Sequence, residues 1–279
     1  MNVVDSEVVA AILQKQDYQV TDKIDEASLI LVNTCSIRDN AEQRIRARLR
    51  EFGRIKKENK GVSVGLIGCM AERLKEQLLE EEPVIDLVAG PDAYRELPTL
   101  LAQVEVGQKG IDTLLSTTET YADITPVRMD KNQVTSFVSI MRGCNNFCTY
   151  CVVPGTRGRE RSRDPETIIS EATQLFEVGY REVTLLGQNV NSYRWGDKET
   201  GVSFEQLLDR VAGIDPLLRV RFATSHPKDM SDELLKVIAA RPNLCRAIHL
   251  PVQSGSTTVL GRMKRKYTRD HYMDRVEAI

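Results

Sequence analysis

The sequence predicts an α/β protein in which an open parallel sheet domain precedes part of a β/α barrel. Three observations support this fold class. Helix-like and strand-like segments alternate over residues 5–103, they alternate again from residue 135 onward, and an irregular polar stretch over residues 104–133 separates the two series. We therefore expect one domain over residues 1–125 and a second over residues 126–279.

In the first series, short apolar runs between helix-like segments predict the strands. These strands are residues 28–33, 62–67 and 84–89. The helices predicted around them are residues 5–16, 41–59, 70–80 and 94–103. Such alternation is typical of a parallel sheet covered by helices, and ligand sites in these sheets lie past the carboxyl ends of the strands.

The second series contains four predicted β/α units, which fit part of a barrel. Its strands are residues 135–141, 182–186, 218–223 and 245–250. Its helices are residues 165–178, 204–212, 231–240 and a last one from residue 268. Barrels of this kind carry their chemistry at the carboxyl ends of the strands. Because the chain stops within the last predicted helix, we expect it to be truncated.

Composition limits the classes of function. Of the 279 residues, 41% are hydrophobic and 28% charged, as in ordinary globular proteins. No apolar run approaches the roughly 20 residues of a membrane span, so we expect a cytoplasmic protein, taken as a monomer, with no membrane partner. The net charge is −2, yet residues 44–60 carry eight basic and two acidic side chains. Such a patch is typical either of a polyanion-binding face or of a solvated helix.

Three cysteines lie within eight residues directly after the predicted strand 135–141, at Cys144, Cys148 and Cys151. Gly143 permits the tight turn that this spacing needs. Soft thiolates favour zinc, copper(I) or iron–sulfur clusters. A structural zinc site usually has four ligands, whereas a [4Fe–4S] cluster on three thiolates keeps one iron open. Because no fourth cysteine or histidine lies nearby, the spacing favours the cluster, with zinc as the alternative.

This triplet, placed after the first strand of a β/α series, resembles the radical S-adenosylmethionine (SAM) superfamily. The resemblance implies that the open iron chelates SAM and that an electron cleaves it to a 5′-deoxyadenosyl radical. It also implies that Tyr150 packs near the SAM adenine.

Polar residues at the ends of the later strands are further candidates for contacts with SAM or substrate. They are Gln188, Asn191, Ser225, His226 and Gln253. Each could instead cap the helix that follows. His226, which precedes a proline, is given no acid–base role.

Two further cysteines, Cys35 and Cys69, each follow a predicted strand and should converge at one rim of the first sheet. Two free buried cysteines are the alternative. Residues 33–38 and 68–72, together with the triplet, are similar to the methylthiotransferases. That resemblance implies a second [4Fe–4S] cluster on three cysteines, of which Cys35 and Cys69 match two. The third would lie two residues before Met1, and its absence is expected to weaken this cluster.

Residues 139–163 and 187–193 resemble the MiaB-type tRNA methylthiotransferases in particular. The resemblance implies addition of a methylthio group to carbon 2 of N(6)-isopentenyladenosine, beside the anticodon of tRNA. The triplet cluster would activate that carbon, and the second cluster would deliver sulfur that a second SAM methylates. An electron donor such as flavodoxin or ferredoxin is implied, as is a C-terminal RNA-binding domain that this sequence lacks. We therefore expect the chain alone to be inactive in transfer.

Four arginines after the triplet are predicted to bind anticodon-loop phosphates. They are Arg157, Arg159, Arg161 and Arg163. Two alternative substrates for a methylthiotransferase remain, threonylcarbamoyl-adenosine in tRNA and an aspartate of a ribosomal protein. An alternative of another class is a non-catalytic metal-cluster protein that binds RNA. Cleavage of SAM would separate that class from the enzymes. Cys245 stands alone and is predicted to be a buried apolar residue.

Overall fold

The computed structural model describes residues 1–36, 39–130, 133–197 and 199–279. Within these residues, the first domain is built of four parallel strands and the helices around them. In chain order these are α1 (Asn2–Gln14), β1 (Leu29–Thr34), α2 (Asp39–Glu58), β2 (Ser63–Gly68), α3 (Cys69–Leu74), α4 (Glu76–Glu81), β3 (Leu87–Ala89), α5 (Leu97–Glu105) and β4 (Gly110–Asp112).

The strand order is β1-β2-β3-β4 and every pairing is parallel, which confirms the predicted open sheet. Apolar side chains cover both faces of the sheet. Helices α1 and α5 pack on one face, and α2, α3 and α4 pack on the other. Strand β1 lies at the edge of the sheet, so its four apolar residues are half-buried.

Three predictions for this domain are wrong in detail. The helix predicted over residues 70–80 is divided at Lys75, whose φ of 50° lies in the left-handed region. The strand predicted over residues 84–89 is shortened to Leu87–Ala89. The stretch over residues 104–133, predicted to be irregular, contains β4, because three residues there pair with β3.

The second domain begins with β5, and its elements are β5 (Thr135–Ser139), β6 (Met141–Arg142), α6 (Val153–Arg157), β7 (Arg161–Ser162), α7 (Pro165–Glu177), β8 (Glu182–Leu186), β9 (Arg194–Trp195), β10 (Val202–Ser203), α8 (Phe204–Ala212), β11 (Arg219–Ala223), α9 (Asp232–Ala240), α10 (Thr257–Arg262) and α11 (Arg269–Ala278). Its main sheet has the order β11-β8-β5, all parallel. Two short antiparallel ribbons, β6–β7 and β9–β10, stand apart from it.

In the described residues, the sheet of the partial barrel therefore has three strands, and the prediction of a strand over residues 245–250 is wrong. A single parallel bridge joins Leu244 to Val220. The neighbouring strand β11 ends at Ala223, and Thr224 has a φ of 76°, which turns the chain out of the sheet. Residues after 245 thus soon lose their pairing partner. Cys245 is half-buried rather than buried.

The barrel core lies between the three strands and helices α7, α8 and α9. Val138, Leu185 and Val220 contribute one residue from each strand and are fully buried. Among the described helices, none is both long enough and apolar enough to cross a bilayer.

Candidate metal centres

The cysteine triplet lies in a loop between β6 and α6, above the carboxyl end of β5. Gly143 starts the loop with a φ of 75°, and a Cβ at this position would lie 2.0 Å from the carbonyl oxygen of Arg159. Only glycine fits there. The Cys144 amide donates to the carbonyl of Gly158 over 3.2 Å, and the Cys151 amide donates to the carbonyl of Cys148 over 2.9 Å. The first bond ties the start of the loop to the segment after α6, and the second closes a turn within the loop.

Cys144 and Cys148 are buried and Cys151 is half-buried. Burial raises the pKa of the Cys144 and Cys151 thiols, and the other cysteines of the triplet add to the rise. Without a cation these thiols are neutral near pH 7. A bound metal must displace their protons, so binding becomes stronger as the pH rises.

The donor set of the loop consists of cysteine thiols. Among the described residues, no group of three or more histidine, cysteine, aspartate or glutamate side chains is arranged as a site for one metal ion. The triplet offers thiols alone, which matches the ligands of [4Fe–4S] clusters.

Buried polar atoms without a partner gather where β8 and β11 end. They are Gln188 Oε1, Asn189 Oδ1, Asn191 Oδ1, Ser225 Oγ and His226 Nε2. Because buried polar groups in proteins almost always have partners, this set indicates a site for a polar ligand. Four of these residues were predicted from the sequence, and Asn189 was not.

Only one of the two ring nitrogens of His226 has a hydrogen-bond partner. Its Nδ1 accepts a hydrogen bond from the Lys228 amide over 3.2 Å, and its Nε2 is unpartnered. Burial, and then the positive charge of Arg265, lower the His226 pKa to about 4. The ring is therefore neutral near pH 7.

Cys35 and Cys69 follow adjacent strands at the same level, as predicted. Thr34, the last residue of β1, is paired with Gly68, the last residue of β2, and each cysteine is the next residue. Gly68 has a φ of 91°, and a Cβ there would lie 2.8 Å from the carbonyl oxygen of Thr34. This position therefore requires glycine.

Arg157 connects this second cysteine pair to the triplet loop. It ends α6, six positions after Cys151, and its Nε donates to Cys69 Sγ over 3.2 Å. Its Nη2 donates to Asp5 over 2.6 Å, and Arg142 donates to the same carboxylate over 2.9 Å. Helix α6 packs against α3, which begins at Cys69. Both cysteine sites therefore border one buried ionic cluster.

The arginines predicted to bind RNA divide into three buried residues and one exposed residue. Arg157 contacts Asp5, Arg161 contacts both oxygens of Asp92, and Arg163 pairs with Glu171. These three guanidinium groups hold the two domains and the barrel together, and they do not face an RNA-accessible surface. Arg159 alone is exposed, with its guanidinium carbon 5.9 Å from the Phe147 ring centre.

Comparison with known families identifies the barrel. Residues 138–279, more than half of the chain, match the radical SAM superfamily. The chain belongs to the radical SAM superfamily. Residues 1–90 match a family described as uncharacterized protein family UPF0004.

Curated relatives extend the similarity to the whole chain. A tRNA-2-methylthio-N(6)-dimethylallyladenosine synthase from Amoebophilus asiaticus is 57% identical over 100% of this chain and 60% of its own length. One from Bacteroides fragilis is 59% identical over 100% of this chain and 61% of its own length. The chain thus spans about three fifths of the length of these relatives.

Solved structures show the same fold at low identity. The radical SAM methyltransferase TsrM from Kitasatospora setae aligns with a TM-score of 0.66 and 15% identity, over 99% of this chain and 62% of that one. The cobalamin-dependent radical SAM enzyme OxsB aligns with a TM-score of 0.67 and 14% identity, over 99% of this chain and 45% of that one. They support the radical SAM fold alone.

In this radical SAM barrel, two predicted ligand contacts lie outside the buried polar set. The Tyr150 ring is 48% exposed beside Cys151. Gln253 is exposed, with a φ of 66°. Sequence reasoning missed Arg265, whose Nη1 lies 3.3 Å from Cys148 Sγ. It lies between two lysines, and nothing in that basic run distinguishes it from a solvated charge.

Proposed function

We propose that the chain is the catalytic front part of a tRNA methylthiotransferase, which adds a methylthio group to carbon 2 of N(6)-isopentenyladenosine beside the anticodon. The observation that carries this proposal is the meeting of two cysteine sites at one ionic cluster, through the contact of Arg157 with Cys69. A radical SAM protein needs the triplet alone. The second cysteine pair, together with the named relatives, favours methylthiolation.

The proposed roles follow from placement. Cys144, Cys148 and Cys151 would hold one [4Fe–4S] cluster, and Cys35 and Cys69 would contribute to a second. When bound, these groups supply an electron for SAM cleavage at the triplet and sulfur at the second site. The protein provides the thiols, excludes water and binds SAM.

The unpartnered oxygens and nitrogens beyond β8 and β11 are the proposed contacts to SAM or substrate, because they are polar, buried and without a protein partner. The exposed face of the triplet loop is suited to RNA. The Phe147 ring is 49% exposed, and Arg159 lies over it. An aromatic ring beside a cation can stack a base and contact a phosphate.

We also assign residues 1–125 to a domain for the second cluster and residues 126–279 to the radical SAM domain. The proposed partners are tRNA and an electron donor such as flavodoxin or ferredoxin, in the cytoplasm and as a monomer. For residues 1–279 alone we expect cluster binding and SAM cleavage without completed transfer.

The first test is metal analysis after anaerobic reconstitution. We expect the chain to bind iron and sulfide and to cleave SAM when a reductant is added. Cys144→Ser should lose the iron and sulfide of the triplet and should no longer cleave SAM. Cys245→Ser is the matched control, since this cysteine lies outside both sites, and it should behave as the unsubstituted chain. Zinc without iron would refute the proposal.

Substrate choice is tested in the protein extended to the length of its relatives. It is offered tRNA with isopentenyladenosine, tRNA with threonylcarbamoyl-adenosine, and a ribosomal protein. Mass spectrometry should find the methylthio group on the first alone. SAM cleavage without transfer to any of the three would instead contradict the methylthiotransferase assignment.

A further inference from the structure

A buried arginine touches the triplet from a distant part of the sequence. Arg265 lies in the turn after α10 and is 5% exposed. Its Nη1 donates toward Cys148 Sγ over 3.3 Å, and its guanidinium carbon lies 5.4 Å from the Tyr267 ring centre. The Thr149 amide donates to the carbonyl of Met263 over 3.2 Å. The turn and the triplet loop are therefore joined through backbone as well as side chain.

Arg265 differs from the other buried arginines in having no acidic partner. Arg142, Arg157, Arg161 and Arg163 each contact an aspartate or glutamate. Within the described part of the chain, no carboxylate lies within salt-bridge distance of Arg265, whose side-chain partners are the Tyr267 hydroxyl and the Cys148 sulfur. Burying a cation without a counter-ion is costly. An anion in the triplet loop would offset that cost.

The backbone around Arg265 is itself held in an uncommon conformation. Lys264 has a φ of 55° and Lys266 a φ of 61°, so both neighbours are left-handed residues other than glycine. Such strain persists only where surrounding contacts impose it. Here it turns the Arg265 side chain inward while its two lysine neighbours stay exposed.

We propose that Arg265 is a positioning residue that compensates the negative charge of the triplet cluster and raises its reduction potential. The inference rests on the proposed function, since it takes the triplet as a cluster site. A [4Fe–4S] cluster on three thiolates gains one negative charge on reduction. A buried cation that donates to a ligand sulfur stabilises the reduced form more than the oxidised form, because hydrogen bonds to the sulfurs and nearby charge set cluster potentials.

The position of the guanidinium supports this role. It contacts the Cys148 sulfur, and it also lies near the Tyr267 ring. The centre of that ring is 5.5 Å from the centre of the His226 ring, which belongs to the unpartnered polar set. Arg265 therefore lies close to a triplet cysteine and, through Tyr267, to the proposed SAM site.

The test compares three variants in anaerobically reconstituted protein. Arg265→Met removes both the positive charge and the hydrogen-bond donor. Arg265→Lys keeps the positive charge on a shorter side chain. Lys264→Met is the control, because it removes an exposed charge from the neighbouring position. All carry Cys35→Ser and Cys69→Ser, so that the triplet is the site measured. The readout is the midpoint potential of the cluster, followed by electron paramagnetic resonance during a redox titration.

We expect Arg265→Met to favour the oxidised cluster by about tenfold, which is a shift of about 59 mV to more negative potential for a one-electron couple. Arg265→Lys should shift the potential in the same direction by less. Lys264→Met should leave it unchanged, because its charge is screened by solvent.

Equal potentials in all the proteins would overturn the inference. If Arg265→Met loses its iron while Lys264→Met retains it, Arg265→Lys decides: a potential lower than that of the unsubstituted triplet supports the role, and an unshifted one overturns it. An unsubstituted chain that binds zinc and no iron would instead overturn the proposed function, so the two failures are distinguishable.

Discussion

Removing the Asp5 carboxylate tests the ionic cluster that joins the two domains. Asp5 lies on α1 in the first domain and is fully buried. Its two oxygens accept from Arg142 and Arg157 of the second domain, over 2.9 and 2.6 Å. Asp5→Asn keeps the shape of the side chain, removes the charge and turns an amide toward one of the two guanidinium groups. The two buried guanidinium groups then lose the negative charge that they share.

The magnitude follows from these two contacts. Each charge-assisted hydrogen bond is worth about 1.5–3 kcal/mol, and removing one partner of a buried ion pair costs about 3–5 kcal/mol. We expect Asp5→Asn to lower the free energy of unfolding at pH 7 by about 3–5 kcal/mol. The matched control is Asp209→Asn, whose partner Arg241 is 39% exposed, so its loss should cost less than about 1 kcal/mol.

The pH dependence gives a second measure of the same contact. Burial opposes the charged form of Asp5, yet Arg157 and Arg142 outweigh it and lower the Asp5 pKa from 3.8 to about 2. The stabilisation is complete above the unfolded pKa near 3.8 and is lost as the pH falls through the folded pKa of about 2. The difference in free energy of unfolding between Asp5→Asn and the unsubstituted chain should therefore become smaller below pH 4.

Urea unfolding followed by circular dichroism measures both effects. A loss in Asp5→Asn within about 1 kcal/mol of that in Asp209→Asn would refute the reasoning, because it would place the Asp5 pair among weak surface contacts.

Two further predictions concern the triplet loop and its neighbour. Gly143→Ala should abolish cluster binding, measured as iron per chain, because the new Cβ would meet the Arg159 carbonyl at 2.0 Å; Gly155→Ala, with nothing within 4 Å, should bind iron normally. His226 is kept neutral by burial, with a folded pKa of about 4 against 6.5, so its contribution to stability is complete above pH 6.5 and is lost as the pH falls toward 4. His226→Gln should therefore lose less stability than the unsubstituted chain between pH 7.5 and pH 5, and equal losses would contradict the shift.

The sequence was sufficient where local pattern and chemistry coincide. Apolar runs between amphipathic segments predicted the parallel sheets, since burial on both faces demands such runs. The spacing of Cys144, Cys148 and Cys151 indicated one loop because three thiols so close can share a cluster. Cys35 and Cys69 were predicted to converge because parallel strands place their carboxyl ends at one edge, and the pairing of Thr34 with Gly68 confirms it.

Prediction failed where a distant partner decides a residue's role. In the sequence, Arg157, Arg161 and Arg163 form a basic run, and only the fold shows that aspartates and a glutamate far along the chain cover them. The strand predicted at residues 245–250 failed because its neighbour leaves the sheet at Thr224.

By itself, then, the sequence indicated the fold class, the radical SAM triplet and the presence of a second cysteine pair, Cys35 and Cys69. These features depend on periodicity and on spacing along the chain. The tertiary structure alone decided which charges are buried and what they face. Burial is a property of elements that come from separate parts of the sequence. Arg265 lies 117 positions from Cys148, and no local pattern indicates that the two are in contact.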